Sequence, residues 1–318
     1  MRILHISDIH LKNHNINQVH AVIRELISTI KSFDVNTPIE VVICSGDLVD
    51  KFGESFISIS HGYELFYRLI INPICEELHV PYSNFLVAPG NHDIDYTYPI
   101  DALNEIHING FEQTELCSSQ KKLEKLLSER HGDFLRLQKN LLESSHNVVY
   151  KQETFLTNVC VSTSIGLLGF TLLNTPLMLI NSDKSRFNII NAIESQDLNL
   201  SFQNCCLRML VAHHKCSAVK ELNLPCIRDF VSHFDAYFCG HTHGRTNYIA
   251  CCHEDTYVFR APALLVNTQD FAIKNYLNGF LLLDFYDGVT DISMSLFLQN
   301  LTGKFEHANT RKISLLFI

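Results

Sequence analysis

Five times along this chain an apolar, strand-like run ends in a short polar stretch built from aspartate, histidine or asparagine. The stretches are Asp8-Ile9-His10, Gly46-Asp47-Leu48-Val49-Asp50, Gly90-Asn91-His92-Asp93, His213-His214 and Gly240-His241-Thr242-His243. Their placement constrains the fold as much as their residue types do. Loops at the carboxyl ends of buried strands are where an α/β protein gathers side chains from distant parts of its sequence.

The first half alternates strand and helix. Arg2–Ser7 reads as a strand, and Asn17–Phe33 sets Val19, Val22, Ile23, Leu26, Ile27 and Ile30 at helical spacing. Glu40–Ser45 is a near-continuous apolar strand, Glu54–His79 is helical with a break near Pro73, and Asn84–Ala88 is the third strand. This order implies parallel pairing through right-handed crossovers. Ser118–Ser144 is an amphipathic segment in which Leu123, Leu126, Leu127, Phe134, Leu137, Leu141 and Leu142 fall largely at three- and four-residue steps. It is predicted to pack on the sheet flank; the alternative is an insertion shaping access to a site. From Val148 strands take over: Phe155–Ser162, Leu168–Leu173, Leu207–Ala212, Ala236–Cys239, Tyr248–Cys252, Tyr257–Arg260 and Gly279–Phe285. Asp287-Gly288 marks a hairpin. The predicted architecture is α/β: one domain over residues 1–318, a four-layer α/β/β/α sandwich of two mixed sheets flanked by helices. A helical insertion occupies about 95–145 and closing strands lie in 245–300.

Hydrophobic residues make up 46% of the chain and charged residues 19%, which supports a large core and much buried strand. The net charge of −9 argues against gripping nucleic acid by bulk charge alone. It leaves a nucleic-acid substrate open, because bound cations reverse the field at a carboxylate-lined site. Met1-Arg2 leads straight into a strand rather than a signal core, and the apolar stretch from Ile165 to Ile180 is broken by Gly169, Asn174, Thr175 and Pro176. The expectation is a soluble cytoplasmic protein with no membrane partner. The 11 cysteines are an odd number, none in C-x-x-C spacing, and most read as reduced core residues.

In Asp8-Ile9-His10 and again in His241-Thr242-His243, residues two apart on extended chain point the same way, so both side chains of each pair can face one ion. Asn91 offers an amide oxygen to a hard cation. Each stretch alone has a plainer explanation: Asp47 and Asp50 as turn or cap residues, Asn91 as a left-handed turn residue, His213-His214 as a core histidine beside an exposed one. Five strand ends together are hard to assign to caps and turns.

The ordered pattern D-x-H, G-D-x-x-D, G-N-H-D/E, H, G-H-x-H resembles that of the calcineurin-like metallophosphoesterases, complete from Asp8 to His243. The resemblance implies that Asp8, His10 and His243 hold one divalent ion, Asn91, His213 and His241 a second, and Asp47 both. It implies that His92 faces the scissile phosphate and protonates the leaving oxygen, oriented by Asp50, while His214 lines the pocket as a substrate contact. Hydrolysis is then expected from a hydroxide held between the two ions. A nitrogen and oxygen donor set without thiolate suits manganese, with iron, zinc or nickel as alternatives.

The Asp-Arg-Gly and Arg-Gly signatures of the protein phosphatases of this kind are absent: Asp50 is followed by Lys51-Phe52-Gly53 and Asp93 by Ile94-Asp95. The opening strand is more similar to the phosphodiesterase and nuclease branch. A phosphodiesterase acting on nucleotides or nucleic acid is therefore expected. Closing strands after His243 favour a small or single-stranded substrate. Lys121, Lys122, Lys125, Arg130, Arg136 and Lys139 could meet phosphates, but the interleaved Glu124, Glu129 and Asp133 suggest a solvated helix face. The alternatives are a phosphomonoesterase, a nuclease or effector subunit working with a partner NTPase in DNA repair or bacterial defence, and a non-catalytic scaffold. The chain has no Gly-x-x-x-x-Gly-Lys-Ser/Thr of its own.

Overall fold

The computed structural model describes residues 1–34, 36–95, 130–145, 148–153, 155–178, 202–215, 224–243, 252–253, 256–265, 278–286 and 291–314. Its strands are β1 (Arg2–Ile6), β2 (Ile39–Cys44), β3 (Phe85–Val87), β4 (Val148–Gln152), β5 (Leu156–Thr163), β6 (Gly166–Leu173), β7 (Leu207–Ala212), β8 (Ala236–Cys239), β9 (Cys252–His253), β10 (Thr256–Arg260), β11 (Gly279–Phe285), β12 (Asp291–Gln299) and β13 (Phe305–Ser314). A six-stranded sheet runs in the order β13-β12-β11-β1-β2-β3, and a seven-stranded sheet in the order β4-β5-β6-β7-β8-β10-β9. Each has a parallel part, β1-β2-β3 in one and β6-β7-β8-β10 in the other, continued by antiparallel strands.

Alternation along the strands sorts the layers, because successive side chains leave opposite faces. Ile3, Val41 and Ile43 of the first sheet join Met209 and Val211 of the second in one core between the sheets. The intervening Leu4, Val42 and Cys44 face the other way, onto α1 (Ile16–Phe33), where Val19, Val22, Ile23, Leu26, Ile27 and Ile30 form the apolar stripe. On the far side, Leu210 and Ala212 pack with Phe230 and Val231 of a helix over Leu224–Ser232. The four-layer sandwich of two mixed sheets is therefore observed.

The segment 54–79 departs from its prediction. A helix α2 (Ile59–Phe66) starts after Ser58, whose hydroxyl accepts from His61 N, and α3 (Asn72–Leu78) follows a π-helical turn at Tyr67–Ile71. Pro73 does not break the run. It has no N–H to donate, and just before it Asn72 N–H reaches back to Tyr67 O in an i to i+5 bond.

Residues 130–142 form a helix, α4, whose Phe134, Leu137 and Leu141 pack into the core beneath α1. The earlier part of the predicted insertion lies outside the described residues. Gln138 of α4 joins the two sheets: its Nε2 donates to Val87 O at 2.9 Å, and its Oε1 accepts from Thr157 Oγ1 at 2.7 Å and Gln152 Nε2 at 2.9 Å. In the basic run, Arg136 and Lys139 pair with Asp133 and Glu143 on the surface. Arg130 instead is buried and donates to Asp95 O at 3.0 Å. Lys121, Lys122 and Lys125 are outside the described residues.

The hairpin is flanked as predicted, with Phe285 opposite Ile292, while Asp287-Gly288 itself lies outside the described residues. Of the predicted strand Tyr248–Cys252 only Cys252 is described, as the start of β9. The closing strands run past residue 300 to β13, whose polar sequence FEHANTRKIS hides a sheet edge. Cys44, Cys75, Cys160, Cys205, Cys206 and Cys239 are free thiols. No helix among the described residues is long and apolar enough to cross a membrane.

Replacing Gln138 with Leu strands a buried carbonyl and a buried hydroxyl, at a cost of about 2–3 kcal/mol. Urea unfolding should show a lower midpoint with an unchanged slope; an unmoved midpoint would refute the role given to Gln138.

Candidate metal centre

The five polar stretches meet at one rim. Those after β1, β2 and β3 come from the first sheet and those after β7 and β8 from the second. The loops are knitted by main-chain bonds: Asp8 N to Gly46 O at 3.0 Å, His10 N to Asp47 O at 2.9 Å, and Gly240 N to His213 O at 3.1 Å. Asp8 (φ 54°), His10 (47°), Asp47 (54°) and His241 (69°) adopt left-handed backbone that costs ordinary residues about 1–3 kcal/mol each. Such strain persists where surroundings over-determine it. Here a Cβ on Gly90 would lie 2.1 Å from Asp47 Oδ1, and one on Gly240 would lie 2.5 Å from Asp8 Oδ2. These glycines let the backbone of two loops close directly onto the carboxylates.

Asp8 and Asp47 are 1% and 2% exposed. His243 Nε2 lies 3.0 Å from Asp8 Oδ1, His10 Nε2 lies 3.6 Å from Asp47 Oδ2, and the two Nε2 atoms are 3.4 Å apart. Asp8, His10, Asp47 and His243 offer donor atoms within 4.8 Å of one another, and His213, His214 and His241 form a second such group.

The second group carries the sharper signal. His213 is fully buried, and its Nδ1–H donates to Ser45 O at 2.8 Å. That fixes Nε2 as the lone-pair nitrogen of the neutral ring. Nε2 nevertheless stands 3.2 Å from Asp47 Oδ2 and 3.1 Å from Asn91 Oδ1, both acceptors. His241 Nδ1 lies 3.2 Å from the same atom. Acceptors converge where only a proton or a cation satisfies them. Burial opposes charge on His213, but Asp47 beside it outweighs burial and lifts its pKa to about 9. Burial likewise penalises the Asp8 and Asp47 carboxylates, yet the histidines hold both well below the usual carboxylate range. Burial and the His213 charge push His241 down to about 4 and His214 well below its ordinary value, leaving neutral nitrogen donors. Among the described residues no Lys or Arg pairs with Asp8 or Asp47. The donor set fits divalent cations.

His92 and Asp50 lie beside this cluster. His92 Nδ1 lies 2.9 Å from Asp50 Oδ1 and 3.2 Å from the main-chain N–H of Lys51, and the His92 ring meets that of His10 edge-on at 4.6 Å. Burial lowers the His92 pKa, but the Asp47 charge and the bond and charge of Asp50 raise it to about 9. His214 is buried, with Nδ1 at 2.9 Å from Thr175 Oγ1 and its carbonyl accepting from Tyr237 OH.

Two residues of this region escaped the sequence reading of roles. Asp93 is buried and accepts from Leu48 N (3.1 Å), Val49 N (3.2 Å) and Gly90 N (2.8 Å), tying the second stretch to the third. Its place in G-N-H-D was the available signal. Lys12 Nζ pairs with Asp50 Oδ2 at 3.0 Å, and nothing in the sequence marked it.

Residues 1–245 match the family of calcineurin-like phosphoesterases, and the chain belongs to that family. It is a family of phosphoesterases that uses divalent metals, and the His/Asp groups described above are this chain's candidate metal ligands. Comparison with curated protein sequences gives no match. Similar solved structures include the purple acid phosphatase PPD1 from yellow lupin (Lupinus luteus) seeds, at 14% identity over 99% of this chain and 53% of that one, with a TM-score of 0.49. The NAD nucleotidase of Haemophilus influenzae is 13% identical over 97% and 53% of the two chains, with a TM-score of 0.40. Vps29 of Chaetomium thermophilum is 10% identical over 98% and 96%, with a TM-score of 0.37.

Two outcomes follow from the geometry. Gly90→Ala should weaken manganese binding by about tenfold or more while the protein still folds, since the added methyl displaces Asp47; titration calorimetry beside circular dichroism checks this, and unchanged affinity would contradict the close approach. Because the pKa of His213 is raised, the metal-free site is protonated below about pH 9, and a cation must expel that proton. Apparent affinity should therefore climb about tenfold per pH unit per proton displaced as pH rises toward that value. Calorimetry in buffers of different ionisation enthalpy counts the protons; an affinity flat from acid to pH 9 speaks against the assignment.

Proposed function

We propose that this chain hydrolyses phosphodiester bonds of nucleotides or nucleic acid, using two divalent cations. Asp8, His10 and His243 would hold the first, Asn91, His213 and His241 the second, and Asp47 both. The observation that supports this most directly is the buried His213 Nε2 standing 3.2 Å from Asp47 Oδ2 and 3.1 Å from Asn91 Oδ1, a nitrogen and two oxygens of the kind that bind divalent cations. When bound, the two cations, manganese by preference, neutralise phosphate charge and acidify water.

The chain's own residues supply the rest. Ser45 O fixes the tautomer of His213 so that Nε2 is the donor. His92 holds a proton near neutral pH, at 21% side-chain exposure, with Nδ1 turned inward to Asp50 Oδ1 and Lys51 N and Nε2 without a protein partner among the described residues. It is thus placed to give that proton to the departing alkoxide as a general acid. Asp50 keeps the ring oriented.

The test is a panel with manganese: an aryl phosphodiester, an aryl monoester, cyclic nucleotides, and single- and double-stranded DNA and RNA. Turnover of diesters ahead of monoesters is expected. Asp47→Asn should abolish all turnover, by about a thousandfold or more. His92→Ala should bind metal normally and lose about 10²–10⁴-fold on poor leaving groups, far less on good ones. The general-acid limb should fall with rising pH at or below about 9, since bound cations can only lower the His92 value. Monoester-only turnover would replace the diester reading, and an active Asp47→Asn would end the proposed role of Asp47.

A further inference from the structure

Asp50 is asked to serve several partners at once. Its Oδ1 lies 2.9 Å from His92 Nδ1 and 3.5 Å from His10 Nδ1, while Lys12 Nζ sits 3.0 Å from Oδ2. A carboxylate between two imidazoles can swing toward either. Turned toward His10, it would leave Lys51 N, at 3.2 Å, as the remaining contact of His92 Nδ1 and loosen that ring. Lys12 closes this option by occupying the second oxygen, which holds the carboxylate plane and leaves Oδ1 for His92.

Lys12 is itself well anchored. Its main-chain N–H donates to Asn15 Oδ1 at 2.7 Å, and Asn15 Nδ2 donates to His10 O at 3.0 Å. Asp50 N donates to Leu11 O at 3.1 Å, beside an isolated parallel bridge between Leu11 and Val49. The backbones carrying the ammonium and the carboxylate are thus docked to each other, so the ion pair joins two fixed points. At 24% and 14% side-chain exposure the pair is partly wet, and its value is geometric more than energetic. Its charge also offsets Asp50, which would otherwise repel an approaching phosphate.

We infer that Lys12 is a positioning residue for His92, acting through Asp50, with no contact to substrate of its own. The inference deepens the phosphodiesterase reading given above and rests on it. Lys12→Met removes the charge and keeps most of the stem. With manganese, its kcat should fall about tenfold or more on an alkyl phosphodiester, whose leaving group needs the proton. On an aryl diester with an acidic leaving group the change should stay within about twofold. Metal affinity should hold, Lys12→Arg should restore the alkyl rate, and Lys12→Met combined with Asp50→Asn should cost no more than Asp50→Asn alone. Proton NMR of the metal-free protein should show the His92 Nδ1–H resonance lost or exchange-broadened in Lys12→Met. Equal losses on both esters, or an unchanged His92 Nδ1–H resonance in the variant, overturn the inference. A wild type inactive on every ester sinks the phosphodiesterase reading instead, and the Nδ1–H measurement then decides the role of Lys12 by itself.

Discussion

The burial of Asp47 is the constraint from which the rest of this structure follows. A carboxylate 2% exposed is costly unless positive charge meets it, and the fold brings that charge from histidines on three separate loops. His10 comes from the loop after β1, His92 from the loop after β3 and His213 from the loop after β7. None of these contacts is local in sequence. The carboxylate can be satisfied only when both sheets are formed and stacked, so the same interaction that defines the site also reports that the sandwich is complete.

The two sheets make this possible because each places parallel strands with their carboxyl ends at a shared rim. Their antiparallel strands lie away from the centre and contribute core instead. Around the rim, polar groups are held by hydrogen bonds and ion pairs that cross from loop to loop. Ser45 O takes His213 Nδ1–H, Asp93 takes three main-chain N–H groups, and Asp50 takes His92. Every such bond removes a rotational or tautomeric choice from a residue that touches the cluster. What remains at the centre is a set of nitrogen and oxygen donors that a proton on His213 bridges in the metal-free protein, and a cation would take the place of that proton.

Most of the site residues were legible in the sequence because they sit in short motifs with fixed offsets from strand ends. The core was legible for a similar reason: the stripe of α1 has helical periodicity, and β1, β2, β7 and β8 are short, nearly continuous apolar runs. What stayed hidden depends on tertiary distance. Gln138 looks like an ordinary polar residue of an amphipathic helix, and only the approach of two sheet edges buries it. Arg130 belongs to a basic run, yet Arg136 and Lys139 face solvent and it does not. β13 has almost no apolar alternation because as an edge strand it has little to bury. Lys12 follows its motif by two residues, and its meaning comes from Asp50, which lies far along the chain. The π-helical turn before Pro73 is a local accommodation that periodicity cannot resolve.

The two donor groups are unlike in a way that bears on how such a centre loads. The group around Asp8 contains two carboxylates and its imidazoles reach solvent, with His243 at 25% side-chain exposure and His10 at 14%. The group around His213 is rich in imidazole and lies deeper, with His213 and His214 buried and His241 partly exposed. Carboxylate oxygen favours hard cations and imidazole favours borderline ones. Four of the donors also hold left-handed backbone whose cost the folded protein carries whether or not an ion is bound. A ligand that binds only the folded form returns that cost as stability. The strain at Asp8, His10, Asp47 and His241 therefore does not enter the affinity itself; a bound cation offsets it only by favouring the folded form.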